Sequence, residues 1–274
     1  MSGTRPRTGI VKQVTSLTNP LVKEIRALHQ KKARDETGLF IAEGQKLVRD
    51  AVEKGWPVET LVYATAQIGD EAIGALAART KAGGGTVLEV SGPVLEKITR
   101  RDNPQSVVGI FSQRFATESM IGESGIWVAL DRARDPGNLG TIIRTADAAG
   151  ISGVALVGAS CDPFGLEAVR ATMGSIFHVP IARTNEDGLI AQAKRRGARI
   201  VGAHLGAAAG DYRKADYRPP LVVLMGNEQQ GLTEKLAAAC DALVRIPMRE
   251  GADSLNLAVS SGLMIYEALR QGLR

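Results

Sequence analysis

A chain of 274 residues with 44% apolar and 23% charged side chains has a globular composition, is long enough for two modest domains, and has no apolar run long enough to span a bilayer. Its start has no apolar core of the secretory kind, so a cytoplasmic protein is expected. The two cysteines, Cys161 and Cys240, lack CxxC spacing, and His29, His178 and His204 stand apart from other ligand-type residues, which argues against disulfides and against a metal. The net charge of +5 is unevenly spread: residues 1–114 carry 17 Lys/Arg against 12 Asp/Glu, and residues 115–274 carry 17 of each. An excess of that size suits a polyanionic partner and suits a solvated basic surface equally well.

Residues 1–13 are polar and read as an arm, with folding expected from Val14. Leu21, Val22, Ile25 and Leu28 recur at helical spacing, and a basic loop with Lys31, Lys32 and Arg34 follows, the best phosphate-contact candidates in the chain. Leu39–Ala42 reads as a strand, Lys46–Val52 as a helix and Val58–Tyr63 as a strand. The alternation continues through Glu71–Lys81, Thr86–Val90, Val94–Ile98 and Ser106–Phe111, which predicts a compact α/β domain over residues 14–113. Polar and small residues at 114–124 predict a linker. A second alternation fills residues 125–274, with strands at Trp127–Leu130, Gly153–Val157, Phe177–Ile181, Arg199–Ala203, Leu221–Met225 and Leu243–Ile246. Helices are expected at Leu139–Ala149, Glu186–Arg196, Thr233–Ala239 and Asn256–Arg270. The strands are continuous apolar runs, so the sheet should be covered on both faces and largely parallel.

Three segments of the second domain place polar residues where a packed α/β unit needs none. After the first strand, Asp135-Pro-Gly-Asn138 leads into a helix that carries Arg144 six residues on; Asn138 suits a helix cap, and Arg144 suits a solvated position. Gly226-Asn-Glu228-Gln-Gln-Gly231 follows a strand as a glycine-bounded turn. It lacks the Lys of a phosphate loop, since Gly231 is followed by Leu232 and Thr233, and taken alone it reads as an ordinary turn more readily than as a ligand loop. In the third segment, Ile246-Pro247-Met248 ends a strand, and Ser254 or Asn256 starts a helix rich in small residues.

Taken together, in this order and at strand ends, the three segments resemble the three motifs of the SpoU family within the SPOUT methyltransferases. Phe40 to Arg49 and Gln105 to Phe111 look like the substrate-binding domain that precedes the catalytic domain in many members, so the resemblance covers roughly residues 14–270. It implies a fold that patterning does not reveal, a trefoil-knotted C-terminal domain with a mainly parallel sheet behind a smaller α/β RNA-binding domain. It implies S-adenosylmethionine held in the knot mainly by main-chain groups, for which Leu224, Gly226, Ile246, Met248 and Leu255 are the candidates, and an in-line methyl transfer to a ribose 2'-hydroxyl of RNA. Asn138, Arg144, Glu228, Ser254 and Asn256 become the candidate catalytic residues, with a protonated Arg144 fixing a phosphate. The two-domain plan favours 23S ribosomal RNA over tRNA, and the family plan implies a homodimer. A catalytically silent RNA-binding protein on the same scaffold is the alternative from another class.

Overall fold

A computed structural model describes residues 9–100, 105–206, 209–249 and 254–272. In chain order the first half runs β1 (Ile10–Val14), α1 (Pro20–Ala27), α2 (Lys31–Thr37), β2 (Leu39–Glu43), α3 (Gln45–Glu53), β3 (Thr60–Ala64), α4 (Glu71–Ala82), β4 (Thr86–Val90), α5 (Gly92–Thr99) and β5 (Val107–Ser112). The second half runs β6 (Ile126–Asp131), α6 (Pro136–Ala148), β7 (Gly153–Val157), α7 (Leu166–Thr172), β8 (Ile181–Thr184), α8 (Glu186–Arg196), β9 (Arg199–Ala203), β10 (Gly210–Asp211), β11 (Leu221–Met225), α9 (Glu234–Ala238), β12 (Ala242–Arg245) and α10 (Leu257–Gly272). Two compact units result. One contains residues 1–113 with 164–177, the other 114–163 with 178–274.

The first unit is built on a mixed sheet of order β1-β4-β3-β5-β2, in which β1, β4 and β3 are parallel and β5 runs antiparallel to both of its neighbours. Val22 and Ile25 from α1, Leu28 just after it, and Val94, Leu95 and Ile98 from α5 pack on Ile41, Val62, Leu88 and Ile110. These are the residues that helical spacing on one side and strand runs on the other place on facing surfaces. A separate aromatic cluster gathers Phe40, Trp56, Phe111, Phe164 and Phe177 with ring centroids 4.7–6.2 Å apart, and the Trp56 indole N–H donates to the Phe177 carbonyl at 3.0 Å.

That cluster corrects the expected strand at Phe177–Ile181. Ser175–Phe177 is a buried 3-10 turn of the first unit, Met173 and Gly174 ahead of it have positive φ, and β8 begins only at Ile181 after Pro180. An aromatic that docks on other rings leaves the strand register. Residues 10–13, expected in the arm, form β1 with Val14, while residues 1–8 lie outside the described residues. Lys31–Thr37 is a helix where a loop is expected, ended by Gly38 at φ 67°.

In the second unit seven strands are parallel, in the order β10-β12-β9-β11-β6-β7-β8. Residues 114–124, read as a linker, are part of this unit: Ala116 bridges Ala182, and Ile121 is buried with Trp127, Leu189, Val222 and Leu224. From β6 the chain moves to β7 and β8 on one side, then returns to β9 beyond β11 on the other. The sheet thus reverses direction between β6 and β11, and α/β sheets bind ligands at the carboxyl ends of strands at such a point.

Candidate active site

Loops at the carboxyl ends of β9, β11 and β12, with the start of α10, meet around a cavity of about 290 Å³. Its wall is apolar at Met225, Val244, Ile246, Met248, Leu255 and Leu257, and polar at His204, Asn227, Glu228, Gln229, Gln230 and Ser254. Four of the five expected cofactor residues, Gly226, Ile246, Met248 and Leu255, line it. Leu224 does not. It is fully buried in the core of the unit, because alternate residues of a strand face opposite sides of the sheet.

The 226–231 loop is closed by its own hydrogen bonds. Asn227 and Gly231 exchange main-chain bonds of 3.1 and 2.9 Å, and the buried Asn227 amide oxygen accepts from the N–H of Gln229 at 2.9 Å and of Gln230 at 3.2 Å. A Cβ at Gly226 would lie 2.4 Å from the Gly231 carbonyl carbon and 2.5 Å from the Leu232 nitrogen. Glycine is therefore required there by the turn itself. Sequence reasoning passed over Asn227, although it sits inside the motif; an Asn between glycines at a strand end is the signature of a side chain that builds a turn.

α6 begins differently from expectation. Asp135, not Asn138, is its N-cap, accepting from the Asn138 N–H at 2.5 Å, with Pro136 in the first turn. Asp followed by Pro is the stronger cap-and-start pair, since proline has no N–H to leave unpaired. That leaves the Asn138 side chain for other work. Its amide donates to Glu228 at 3.5 Å, and its oxygen accepts from the Asn256 amide at 2.9 Å. The Asn256 oxygen in turn caps α10 by accepting from the N–H of Ala258 at 2.9 Å and of Val259 at 3.3 Å. One residue from each motif is thus joined in a single chain, Glu228–Asn138–Asn256, beside the cavity that Glu228 and Ser254 line.

Arg144 stands outside that chain. It is exposed on α6 and makes no hydrogen bond or ion pair among the described residues. The basic cluster of the first unit divides. Lys31 and Lys32 are exposed, with i,i+4 partners Asp35 at 2.5 Å and Glu36 at 3.8 Å. Arg34 is only 5% exposed and donates to the Leu28 carbonyl at 2.8 Å, so it is an internal strut and not a phosphate contact. No group of three or more metal-ligand side chains occurs among the described residues.

A parallel α/β sheet with a partly apolar cavity at the carboxyl ends of β9, β11 and β12, next to its switch point and rimmed by polar residues from three separate loops, defines a site for an organic ligand. Residues 125–266 match the SpoU rRNA methylase family, and residues 19–109 match the MRM3-like substrate binding domain. An AdoMet-bound rRNA methyltransferase from Sinorhizobium meliloti superposes with a TM-score of 0.89 at 57% identity, covering 95% of this chain and 98% of that one. The 23S rRNA (guanosine(2553)-2'-O)-methyltransferase RlmP of Bacillus subtilis is 30% identical over 93% of this chain and 98% of its own length. The 23S rRNA (uridine(2479)-2'-O)-methyltransferase of Streptomyces viridochromogenes is 30% identical over 97% and 94%. This chain belongs to the SpoU rRNA methylase family and is a methyltransferase.

Proposed function

We propose that this chain transfers a methyl group from S-adenosylmethionine to a ribose 2'-hydroxyl of 23S ribosomal RNA, working in the cytoplasm as a homodimer. The observation that carries this reading is the Glu228–Asn138–Asn256 chain at the mouth of the 225–257 cavity, in a protein that matches two-domain 23S rRNA methyltransferases along nearly its whole length. The cavity fits the cofactor. Apolar side chains can enclose a base, and the glycine-bounded loop brings main-chain polar groups to the wall.

When bound, adenosylmethionine supplies an electrophilic sulfonium methyl. The chain's own residues must then hold and activate a neutral alcohol. The Glu228 carboxylate, steadied by Asn138, is an acceptor suited to orienting a ribose hydroxyl, and Asn256 fixes Asn138 from the other side. Arg144 lies six residues from Asn138, about 9 Å along the helix axis. As a guanidinium it stays protonated, so its role is to grip the adjacent phosphate with two parallel donors and to favour the developing alkoxide electrostatically.

The dimer is supported by α10. Val259, Leu263 and Tyr266 are 53%, 39% and 53% exposed and recur at i, i+4 and i+7, one apolar face suited to a second copy. Gly262 of the same helix lies against Thr145, next to Arg144, so pairing through this face would let each copy complete the other's site. The trefoil-knotted C-terminal domain that the family resemblance implies is part of this reading. Supplying labelled methyl donor with 23S rRNA and with tRNA, and mapping the methylated ribose, tests the substrate; methylation confined to tRNA would reject it. Light scattering tests the dimer.

A further inference from the structure

We propose that Arg132 is a positioning residue which clamps the cofactor-binding loop through Gln230; this rests on the reading of the 225–257 cavity as the adenosylmethionine site. Arg132 follows β6 immediately and has φ 51°, one of three non-glycine residues with positive φ among the described residues. Arginine rarely adopts that backbone, which glycine or asparagine enter more easily. All three nitrogens of its side chain donate hydrogen bonds. Nε and Nη2 hold the two oxygens of buried Asp131 at 3.0 and 2.9 Å, Nη1 donates to the Gln230 amide oxygen at 2.7 Å, and Nη2 also reaches the Gly231 carbonyl at 3.3 Å.

The backbone of the same residue is tied as firmly. Its N–H donates to Val157 at 3.0 Å, and its carbonyl accepts from the Asn227 amide at 2.9 Å. Gly158, beside the Arg132 Cγ, leaves room for this path. Arg132 therefore touches both ends of the 226–231 turn. Asp131 orients the guanidinium fork from below, and the Asp131 pair raises the Arg132 pKa further. Five successive loop residues that line the cavity, Asn227 to Gly231, are held against the end of β6 before any cofactor arrives. A loop ordered in advance costs less to close around its ligand. Because the fork is planar and two-pronged, lysine cannot replace it while keeping the charge next to Asp131.

The test uses the full-length protein and four variants: Arg132→Lys, Gln230→Ala, the double variant, and Leu255→Arg as a block of the cavity. Calorimetric titration with adenosylmethionine is combined with thermal melting and with kcat and KM for the cofactor. Arg132→Lys should raise Kd and KM about tenfold with a smaller fall in kcat, Gln230→Ala should raise them about threefold, and the double variant should match Arg132→Lys because the two residues act as one unit. Gln230 is exposed and leaves the Asp131 pair intact, so its variant reports even if Arg132→Lys folds poorly. A merely structural arginine would lower the melting temperature and the active fraction at unchanged Kd. Cofactor affinity within twofold of wild type in both single variants overturns the clamp. Unchanged affinity in Leu255→Arg overturns the cavity assignment instead.

Discussion

Polar side chains in the two units are used in opposite ways. In the first unit the charged and polar groups that matter are turned inward: Glu43 is buried and gripped by Arg170 at 3.1 and 2.5 Å, and Arg34 braces Leu28. Tyr63 donates to Glu89 at 2.8 Å, with its phenol pushed up to about 12 by burial and by that carboxylate. In the second unit Asn138, Glu228, Ser254 and Asn256 stand at strand and helix ends and Arg144 on the exposed side of α6; the Asn138–Glu228 bond is long at 3.5 Å, and Arg144 has no bond among the described residues. Groups whose partners are all internal stabilise a fold. Groups left under-partnered at one rim are available to a ligand. The contrast teaches that the excess basic charge of the first half is a poorer guide to function than the balanced charge of the second.

The contrast is broken most sharply by two substitutions. Arg144→Ala should lower methyl transfer by about 10³-fold. Its melting temperature should not move, because an exposed residue without partners contributes little to stability. Cofactor affinity should stay within a few-fold, and Arg144→Lys should recover little of the rate. Single-turnover kinetics with a saturating methyl donor checks this, and near-normal turnover in Arg144→Ala would remove Arg144 from the site. Glu43→Ala should do the reverse. Leaving the half-buried Arg170, whose side chain is 34% exposed, without this partner should remove roughly 1 to 2 kcal/mol of stability in urea unfolding, while cofactor affinity of the folded fraction is unchanged. Replacing both partners by well-packed apolar residues should restore most of the loss.

Why one half of this picture could be read from the sequence and the other could not follows from the same physics. A polar residue at the end of an apolar strand run is visible, because the pattern that breaks is periodic; that break marks the three segments, the resemblance to the SpoU motifs picks Asn138, Glu228 and Asn256 out of them, and the structure joins them. Direction is not visible. Lys31, Lys32 and Arg34 look alike in sequence, yet one helical turn sends Arg34 inward and the lysines outward. Long-range docking is hidden as well: nothing local says that Phe164 and Phe177 complete the ring cluster of Phe40 and Trp56. The side chain of Leu224 lies in the core instead of the cavity wall for a simpler reason, since a continuous apolar run does not reveal which strand residues face a cavity.

Smaller effects sharpen the comparison. Asn256→Ala removes the α10 cap and the bond to Asn138 together, so it should cost about 1 kcal/mol of stability and at least tenfold in transfer rate. Asn256→Asp should keep the cap and lose the amide donor. Unfolding midpoints and rates of the two variants separate the roles. Lys31→Ala with Lys32→Ala probes what remains of the basic cluster. Their pairs with Asp35 and Glu36 are exposed and weak, and a phosphate can displace them. If both contact RNA, the slope of log affinity against log salt should flatten by about 1.4 to 1.8, whereas an unchanged slope assigns them to solvent.

The smallest effect concerns His29, another residue that the first unit turns inward. Its Nε2 meets the Ile98 carbonyl at 2.7 Å, burial lowers its pKa below 6.5, the nearby Arg100 and Arg170 push the same way, and the Ile98 bond and Glu43 oppose them. A base whose pKa is lower in the folded state is protonated first in the unfolded chain. The unfolded state therefore binds more protons as pH falls below 6.5, and stability drops. Above 6.5 both states are neutral at this site, and the contribution is complete. The slope from one such group cannot exceed about 1.4 kcal/mol per pH unit. Urea unfolding of wild type and His29→Gln between pH 7.5 and about 5.5 should show the wild type losing stability more steeply on the acid side, with the curves parallel above pH 7. Parallel curves throughout would mean that His29 is as easily protonated in the folded unit as in the unfolded chain, and the inward use of polar groups would then stop short of this residue.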